Sequence, residues 1–268
     1  MNLKLYEFIK FKTRPIELAV LLKHAFNIKR FNYAVNPFVF YIDPVSDFGY
    51  KLLRDKAYEP QTTESILSLL KEGDVFVDLG ANEGFFSVLA SKKVGRSGKV
   101  LSIEPQERLW PVLKKNFAEN NCVNCQIVPF GVGETAAEIE VVLSPSLNSG
   151  QSSMVEGQSF FGSRKIAKKI RSYYWQKQTM KIKPFADICD AYGVKEVNLV
   201  KVDIEGYEFI ALRSARKMLE AGKVKNLLIE FHPEQLKQLG QSEAQIIAYL
   251  NGLGYQQSKL TEGLFTLA

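Results

Sequence analysis

Short apolar runs alternate along this chain with stretches in which apolar residues recur at helical spacing. Apolar runs without polar interruption are typical of strands covered on both faces, as in a parallel sheet. They predict strands over residues 38–42, 74–79, 99–104, 125–129, 197–203 and 225–231. A terminal pair near 254–258 and 263–267, and an edge hairpin at 138–143, extend this set.

Helical spacing fills the intervals between these strands. It predicts one helix from Thr62 or Thr63 through Leu70, and others over 84–93, 106–120, 206–220 and 233–251. Strands that alternate with helices of this length favour an α/β fold with a mostly parallel sheet. We expect an antiparallel strand at the end of that sheet.

Two segments lie outside this regular alternation. Residues 1–35 predict two short helices separated at Pro15, which pack on the core or serve as a lid or a dimer contact. Residues 144–184 form a long insertion rich in Ser, Gly, Gln and basic residues. We therefore expect an N-terminal helical extension over 1–45 and one main domain over 46–268 that carries the insertion.

The composition is that of an ordinary globular protein, with 268 residues of which 46% are hydrophobic. No apolar run approaches the roughly 20 residues of a membrane-spanning helix, and a secretory signal is not expected. A cytoplasmic location is therefore expected. Three cysteines agree with a reducing compartment, and Cys122 and Cys125 lack the second pair that a zinc site needs, so they are expected to be structural.

The net charge of +6 is unevenly distributed. Residues 1–31 carry a net charge of +5 and residues 157–186 carry +8, which leaves −7 for the remainder. An acidic body with two basic segments suggests an anionic acceptor or an anionic surface nearby. The alternative is that both segments are merely solvated helix faces.

The turn after the strand at 74–79 carries the first candidate chemistry. Asp78, Gly80, Asn82 and Gly84 form a glycine-containing turn between a strand and a helix, as in nucleotide-binding α/β sheets. A dinucleotide site has its first two glycines two residues apart, whereas Ala81 and Asn82 fill that interval here, and Asp78 would repel phosphate. A carboxylate suits a cationic ligand such as S-adenosylmethionine, and a nicotinamide-dependent oxidoreductase is disfavoured.

Ionisable residues also end the other strands. Glu104 follows a strand about 20 residues after the turn, where a carboxylate accepts the hydroxyls of a ribose. Asp203 and Glu205 follow the strand at 197–203, and Glu230 and His232 end the next strand. Because parallel strands bring their carboxyl ends to one edge of the sheet, these groups are expected to line a ligand site.

At this point the chain resembles the FkbM family of S-adenosylmethionine-dependent methyltransferases over roughly residues 50–268. The matching segments are Tyr58-Glu-Pro60, Val77-Asp-Leu-Gly-Ala-Asn-Glu-Gly84, Ile103-Glu-Pro105, Val200-Lys-Val-Asp-Ile-Glu-Gly-Tyr-Glu208 and Ile229-Glu-Phe-His232. The resemblance implies a class I methyltransferase fold over 46–268 and O-methylation of a sugar, lipid or secondary metabolite. It also implies that Tyr58 and Glu59 lie over the methyl donor.

In such an enzyme, Asp78 and the turn through Gly84 would border the methionine end of the donor, while Phe130 would contact its adenine. A hydroxyl acceptor needs a base as its proton leaves. The candidates are Asp203, Glu205, Glu230 and His232, and Asp203 is the strongest of them on sequence grounds. A carboxylate acceptor would need no base, so these residues would then only position it.

The expected acceptor is a small molecule, glycan, lipid or modified peptide, with hydroxyl or carboxylate oxygen left open. The alternative is a nucleic-acid methyltransferase that uses Tyr173, Tyr174 and Trp175 in the basic insertion. No metal is expected, because no further acidic run follows Asp203 and Glu205 to complete a ligand shell. Peripheral membrane contact and a homodimer are open alternatives.

Overall fold

A computed structural model describes residues 2–14, 16–143 and 176–268 of the chain. The chain divides into two compact units. The first unit comprises Met1–Tyr58 and Glu140–Thr179, and the second unit comprises Glu59–Ile139 and Met180–Ala268. The role of residues 1–45 as a lid stays a prediction. The predicted basic residues Arg164, Lys165, Lys168, Lys169 and Arg171 and the aromatic residues at 173–175 lie outside the described residues.

The first unit begins with helices and continues with a hairpin. Its elements are Leu3–Glu7 (α1), the π-helical turn Phe8–Lys12, Ile16–Ala25 (α2), Phe31–Val35 (β1), Phe38–Ile42 (β2) and Asp47–Asp55 (α3). The strand at 38–42 is confirmed. The prediction of helix as far as residue 35 is wrong, because β1 alternates half-buried and exposed side chains and pairs antiparallel with β2.

Helix α3 had no counterpart among the predicted elements. It begins after Ser46, whose side chain accepts a hydrogen bond from the amide of Gly49 at 3.0 Å, as a helix N-cap does. The core of the first unit contains Ile9, Ala19 and Val20, which are almost completely buried. The N-terminal helices therefore bury one face in this unit.

The second unit contains a seven-stranded sheet. The strands that follow β2 in the chain are Val75–Leu79 (β3), Lys99–Ile103 (β4), Cys125–Val128 (β5), Gly131–Val132 (β6), Ala137–Leu143 (β7), Gln176–Lys183 (β8), Val197–Val202 (β9), Val224–Ile229 (β10), Tyr255–Gln257 (β11) and Leu264–Leu267 (β12). The sheet order is β11-β12-β10-β9-β3-β4-β5. Strand β12 is antiparallel to β10, whereas β5, β4, β3, β9 and β10 are parallel.

This topology confirms the expected class I methyltransferase fold, including the antiparallel strand at its end. The chain runs outward from β3 to β5 and then returns to β9 on the other side of β3. The carboxyl ends of β3 and β9 therefore lie at a topological switch point, where open α/β sheets bind ligands. In the register, Asp78 lies opposite Lys201 on β9 and opposite Ser102 on β4.

The helices after α3 are Pro60–Leu69 (α4), Phe85–Val94 (α5), Trp110–Glu119 (α6), Phe185–Ala191 (α7), Glu208–Ser214 (α8), Arg216–Glu220 (α9), Pro233–Gln238 (α10) and Glu243–Gly252 (α11). The predicted start of α4 at Thr62 or Thr63 is wrong, because Pro60 occupies its first position. The predicted helix 233–251 is two helices, because Gly240 adopts φ +67° and Ser242 begins a new capping box with Gln245. Likewise, 206–220 divides into α8 and α9.

The core of the second unit explains why its strands are continuous apolar runs. Val77, Leu101, Val200 and Leu227 on neighbouring strands are all at most 2% exposed. Helices cover both faces of such a parallel sheet, so each strand buries alternate residues on opposite sides. In the part of the chain that the structure describes, no helix has the length and apolarity to cross a bilayer.

Candidate active site at the sheet edge

The turn after β3 touches the backbone that follows β9. Gly80 adopts φ +86°, and a Cβ at this position would lie 1.9 Å from the carbonyl oxygen of Asp203. The amide of Asp203 donates a hydrogen bond to the carbonyl of Leu79 at 3.1 Å. Only glycine fits so close to another main chain. The turn is thereby held against the loop that carries the other candidate residues.

The same turn has two further left-handed residues. Asn82 has φ +49° and Gly84 has φ +84°. A Cβ on Gly84 would lie 2.7 Å from the Leu113 side chain on α6, so a larger residue would disturb the packing of α6. The sequence-predicted turn residues are therefore brought together in a tight loop at the carboxyl end of β3.

Asp78 lies beneath this turn and is fully buried. One carboxylate oxygen accepts a hydrogen bond from Ser87 Oγ at 2.7 Å, and Ser102 Oγ donates to Ser87 at 2.8 Å. The other oxygen has no hydrogen-bond partner among the described residues. Burial raises the pKa of Asp78, although Lys201 opposes this effect. This carboxylate therefore holds the start of α5 against β3 and β4.

Glu104 is joined to the turn through hydrogen bonds. Its Oε2 accepts from the amide of Asn82 at 2.9 Å, and its Oε1 accepts from the amide of Gln106 at 2.8 Å. Burial raises the pKa of Glu104 to about 7, against the lowering effect of these two bonds. Each carboxylate oxygen has a second lone pair, so the group can still accept hydrogen bonds from a diol.

Three other predicted donor-binding residues have different surroundings. Tyr58 belongs to the first unit, where its ring lies 5.0 Å from the ring of Phe48. Glu59 adopts φ +41°, and its buried Oε2 has no hydrogen-bond partner among the described residues. Phe130 is partly buried, and Lys183 Nζ lies 4.1 Å from its ring centroid. The roles of all three residues in donor binding stay predictions.

Lys201 also lies at this candidate site, although it was not among the residues predicted from the sequence. It is 2% exposed, and its Nζ donates to Asp203 Oδ2 at 2.8 Å and lies 4.8 Å from the Phe86 ring centroid. Burial lowers the pKa of Lys201, but the charges of Asp203 and Asp78 outweigh it and raise the pKa overall. A lysine inside an apolar strand, two residues before an acid, was the available signal.

His232 lies between carboxylates from the loop after β9. Its Nδ1 is 2.9 Å from Glu208 Oε1, and its Nε2 is 3.8 Å from Asp203 Oδ1 and 3.7 Å from Glu205 Oε2. Burial lowers the pKa of His232, but the hydrogen bond with Glu208 and the neighbouring charges raise it to about 9. The imidazole is therefore protonated at neutral pH.

Glu208 is a second residue of this cluster that was not among the predicted site residues. It is completely buried at the start of α8, and its Oε1 also accepts from the amide of Gly206 at 2.9 Å. It therefore holds His232 by the Nδ1 side and leaves Nε2 directed at the two acids. The motif Asp-Ile-Glu-Gly-Tyr-Glu contained this residue, but only the fold shows that it meets His232.

Glu205 lies in the loop after β9, opposite the Nε2 side of His232. It adopts φ +54°, and its side chain is 28% exposed. Burial raises the pKa of Glu205 to about 7; His232 lowers it, while Asp203 and Glu230 raise it. Glu230, at the end of β10, also has its pKa raised by burial and by Asp203. Glu205 thus titrates near neutral pH beside a protonated histidine.

Asp203, Glu205 and His232 each offer one ligand atom within 4.8 Å of the others, a spacing that could hold a metal ion. A protonated imidazole has no free lone pair for a metal, because both of its nitrogens carry hydrogen. The expectation of no metal stays a prediction.

This chain is similar in sequence to known methyltransferases. A family model described as the methyltransferase FkbM domain matches residues 78–256. Methyltransferase sdnD of Sordaria araneosa is 24% identical over 184 residues, which cover 63% of this chain and 68% of that protein. Methyltransferase 1 of Beauveria bassiana is 26% identical over 143 residues, 51% of this chain and 56% of that protein. A solved structure of a SAM-dependent methyltransferase from Aquifex aeolicus is 15% identical, with a TM-score of 0.41, and covers 80% of this chain and 89% of that chain.

Proposed function

This chain belongs to the FkbM methyltransferase family, and we propose that it methylates a hydroxyl oxygen of a small molecule, glycan, lipid or modified peptide. Its methyl donor is S-adenosylmethionine. The choice of a hydroxyl rests on Glu205, which follows β9 at the switch point with its Oε2 3.7 Å from His232 Nε2, and whose pKa burial raises to about 7. A carboxylate acceptor is already ionised and needs no base, whereas a hydroxyl must lose its proton.

The environment of each candidate supports Glu205 as the base, in place of Asp203. His232 is protonated at neutral pH, since its pKa is about 9. Asp203 is paired with the buried ammonium of Lys201. Glu205 has no such cation within hydrogen-bond distance, because His232 Nε2 is 3.7 Å away. Of these two carboxylates, Glu205 is therefore the better able to take a proton.

The residues around the β3 turn fit the donor. Bound there, S-adenosylmethionine supplies an electrophilic methyl group on a sulfonium. Glu104 would accept hydrogen bonds from the ribose hydroxyls while it keeps the Asn82 amide in place. The unpartnered Oε2 of Glu59 would accept a hydrogen bond from the ammonium group of S-adenosylmethionine, because a buried carboxylate oxygen without a partner is costly. The absence of a Cβ at Gly80 lets this turn lie directly against the Asp203 loop.

The reacting atoms can be followed through the chain's own residues. Glu205 Oε2 would accept the hydroxyl proton as the acceptor oxygen bonds to the methyl carbon and the carbon–sulfur bond breaks. His232 would keep Glu205 in place through its positive charge, and Glu208 would orient the imidazole through Nδ1. The site must also hold the acceptor oxygen close to the methyl carbon and in line with the carbon–sulfur bond.

The test is turnover with isotopically labelled methyl donor against paired acceptors that differ only in a hydroxyl or a carboxylate. We expect label in alkali-stable methyl ethers. Label confined to alkali-labile methyl esters, or to RNA or DNA, would contradict the proposal. The nucleic-acid alternative rests on the basic insertion, whose residues 164–175 lie outside the described part of the chain.

Glu104→Gln is expected to weaken binding of the donor or its demethylated product by about 1–3 kcal/mol. Glutamine replaces one hydrogen-bond-accepting oxygen by an NH₂ group. That NH₂ group would face the amide N–H of Asn82 or Gln106, or the ribose. Titration calorimetry measures the change. Glu107→Gln, an exposed position three residues on, is the matched control. Equal affinity in both variants would remove Glu104 from the donor site.

Chelation of metal ions is expected to leave turnover unchanged. The reason is that Glu208 already holds His232 through Nδ1 and Lys201 already pairs with Asp203, so two of the three groups in this trio are engaged within the protein. Rates before and after dialysis against EDTA, with and without added Mg²⁺, check this. A loss of activity that Mg²⁺ restores would refute it.

A further inference from the structure

Helix α2 is apolar on both of its sides. Its sequence, IELAVLLKHA, contains only three residues with polar side chains. Ala19 and Val20 face the core of the first unit, while Leu18 and Leu21 remain 43% and 45% exposed. A helix that is apolar all round is normally buried on every side. Among the described residues, nothing buries the outer side of α2, although its apolar composition is typical of a buried helix.

The π-helical turn that precedes α2 in the chain also exposes large apolar side chains. Eight large hydrophobic residues are exposed in the described part of the chain, and five of them fall within residues 8–26. We call these five the N-terminal apolar surface, and they are Phe8, Phe11, Leu18, Leu21 and Phe26. Such a concentration in 19 residues is not the scattered exposure of single apolar side chains that is normal for a soluble protein.

Positive charge accompanies this surface. In the described part of residues 2–31, the exposed charged side chains are Lys4, Lys12, Arg14 and Lys29 against Glu7. The other lysines are neutralised within the unit: Lys10 pairs with Asp47, and Lys23 pairs with Asp43. Phenylalanine and leucine flanked by lysine and arginine are the combination found in helices that lie in a membrane interface.

From these observations we propose that the N-terminal apolar surface binds a bilayer that contains anionic lipid. The apolar side chains would enter the boundary between headgroups and acyl chains, and the exposed lysines would meet anionic headgroups. A second copy of the chain is a poorer occupant. In a two-fold dimer the same surface faces itself, which would bring the basic side chains of both copies together. The proposal does not depend on the identity of the methyl acceptor.

Co-sedimentation of the full chain with vesicles tests the proposal. We expect binding to phosphatidylcholine vesicles that contain phosphatidylglycerol, and little binding to phosphatidylcholine alone. Lys12→Glu/Lys29→Glu is expected to lower the partition coefficient on anionic vesicles by about tenfold or more. Lys217→Glu/Lys223→Glu, an equal charge change on exposed residues of the second unit, is expected to have a much smaller effect.

Leu18→Ser/Leu21→Ser tests the apolar contribution, with Val123→Ser/Leu260→Ser as the control at exposed apolar positions elsewhere. We expect the first pair to lower vesicle binding and the control to retain it, with unchanged thermal unfolding and donor affinity in both. Equal vesicle binding by wild type and the Leu18/Leu21 variant would overturn the proposal. So would a wild-type dimer that this variant converts to monomer without any vesicle binding.

Discussion

Glu205→Gln is expected to lower kcat by about 10²–10⁴-fold, the contribution of a positioned general base. Glutamine keeps the shape of the side chain but cannot accept the hydroxyl proton. Donor affinity is expected to stay close to that of the wild type, since Glu205 lies at the acceptor side of the proposed arrangement. Single-turnover rates at saturating donor measure the chemical step, and calorimetry measures donor binding.

The pH profile follows from the same residue. Burial raises the pKa of Glu205 to about 7, so the carboxylate is ionised above that pH and protonated below it. Because the base must be ionised, the rate is expected to fall by about tenfold per pH unit below pH 7 and to level off above it. In Glu205→Gln this acidic limb should disappear, and the low residual rate should be flat across the same range.

Glu230→Gln is the matched control for charge. Glu230 ends the neighbouring strand and also interacts electrostatically with Asp203 and His232. Its removal takes one negative charge from the same cluster but leaves Glu205 intact. A small change in kcat is expected. Similar losses in the two variants would indicate that the cluster acts through its total charge and that Glu205 is not the base.

Gly80→Ala is expected to destabilise the second unit by about 2–4 kcal/mol and to abolish donor binding. Two costs add: alanine is disfavoured at φ +86°, and its Cβ would lie 1.9 Å from the carbonyl oxygen of Asp203. Neither main chain can move without displacing the turn or the loop that carries Glu205. Urea unfolding measures the stability, and calorimetry measures the binding.

Gly193→Ala separates these two costs. Gly193 has φ +66°, but a Cβ there would meet no atom within 4 Å. This variant should therefore lose only the conformational part, about 1–2 kcal/mol, and keep its donor affinity. If Gly80→Ala and Gly193→Ala lost equal stability and both still bound the methyl donor, the contact between the turn and the Asp203 loop would contribute neither to stability nor to donor binding.

Much of the fold could be predicted from the apolar pattern, because strands buried on both faces must be apolar throughout. The strands from β3 to β10 in the parallel part of the sheet were predicted within about two residues of their observed ends. The wrong predictions fell where tertiary packing or a helix cap determines the local structure. Strand β1 pairs with β2 although its segment was predicted as helix, and Ser242 starts a new helix inside the predicted helix 233–251.

The candidate site was predicted in part. The acids at strand ends, such as Glu104 and Asp203, could be predicted as site residues from the sequence, because the carboxyl ends of parallel strands share one edge of the sheet. Lys201 and Glu208 were missed because each lies within a motif whose other residues were more conspicuous. Their contacts, with Asp203 and with His232, join residues whose proximity depends on how β9 and β10 pair.

The order of residues alone determined the α/β architecture, the position of the glycine turn and the set of ionisable groups available for chemistry. It did so because backbone conformation and burial follow a local period of apolar positions. Only the tertiary structure decided how far the surroundings of each group shift its pKa. Desolvation and Coulomb energy depend on depth and distance, and the distances from His232 to Glu205 and Glu208 exist only once β9 and β10 lie side by side.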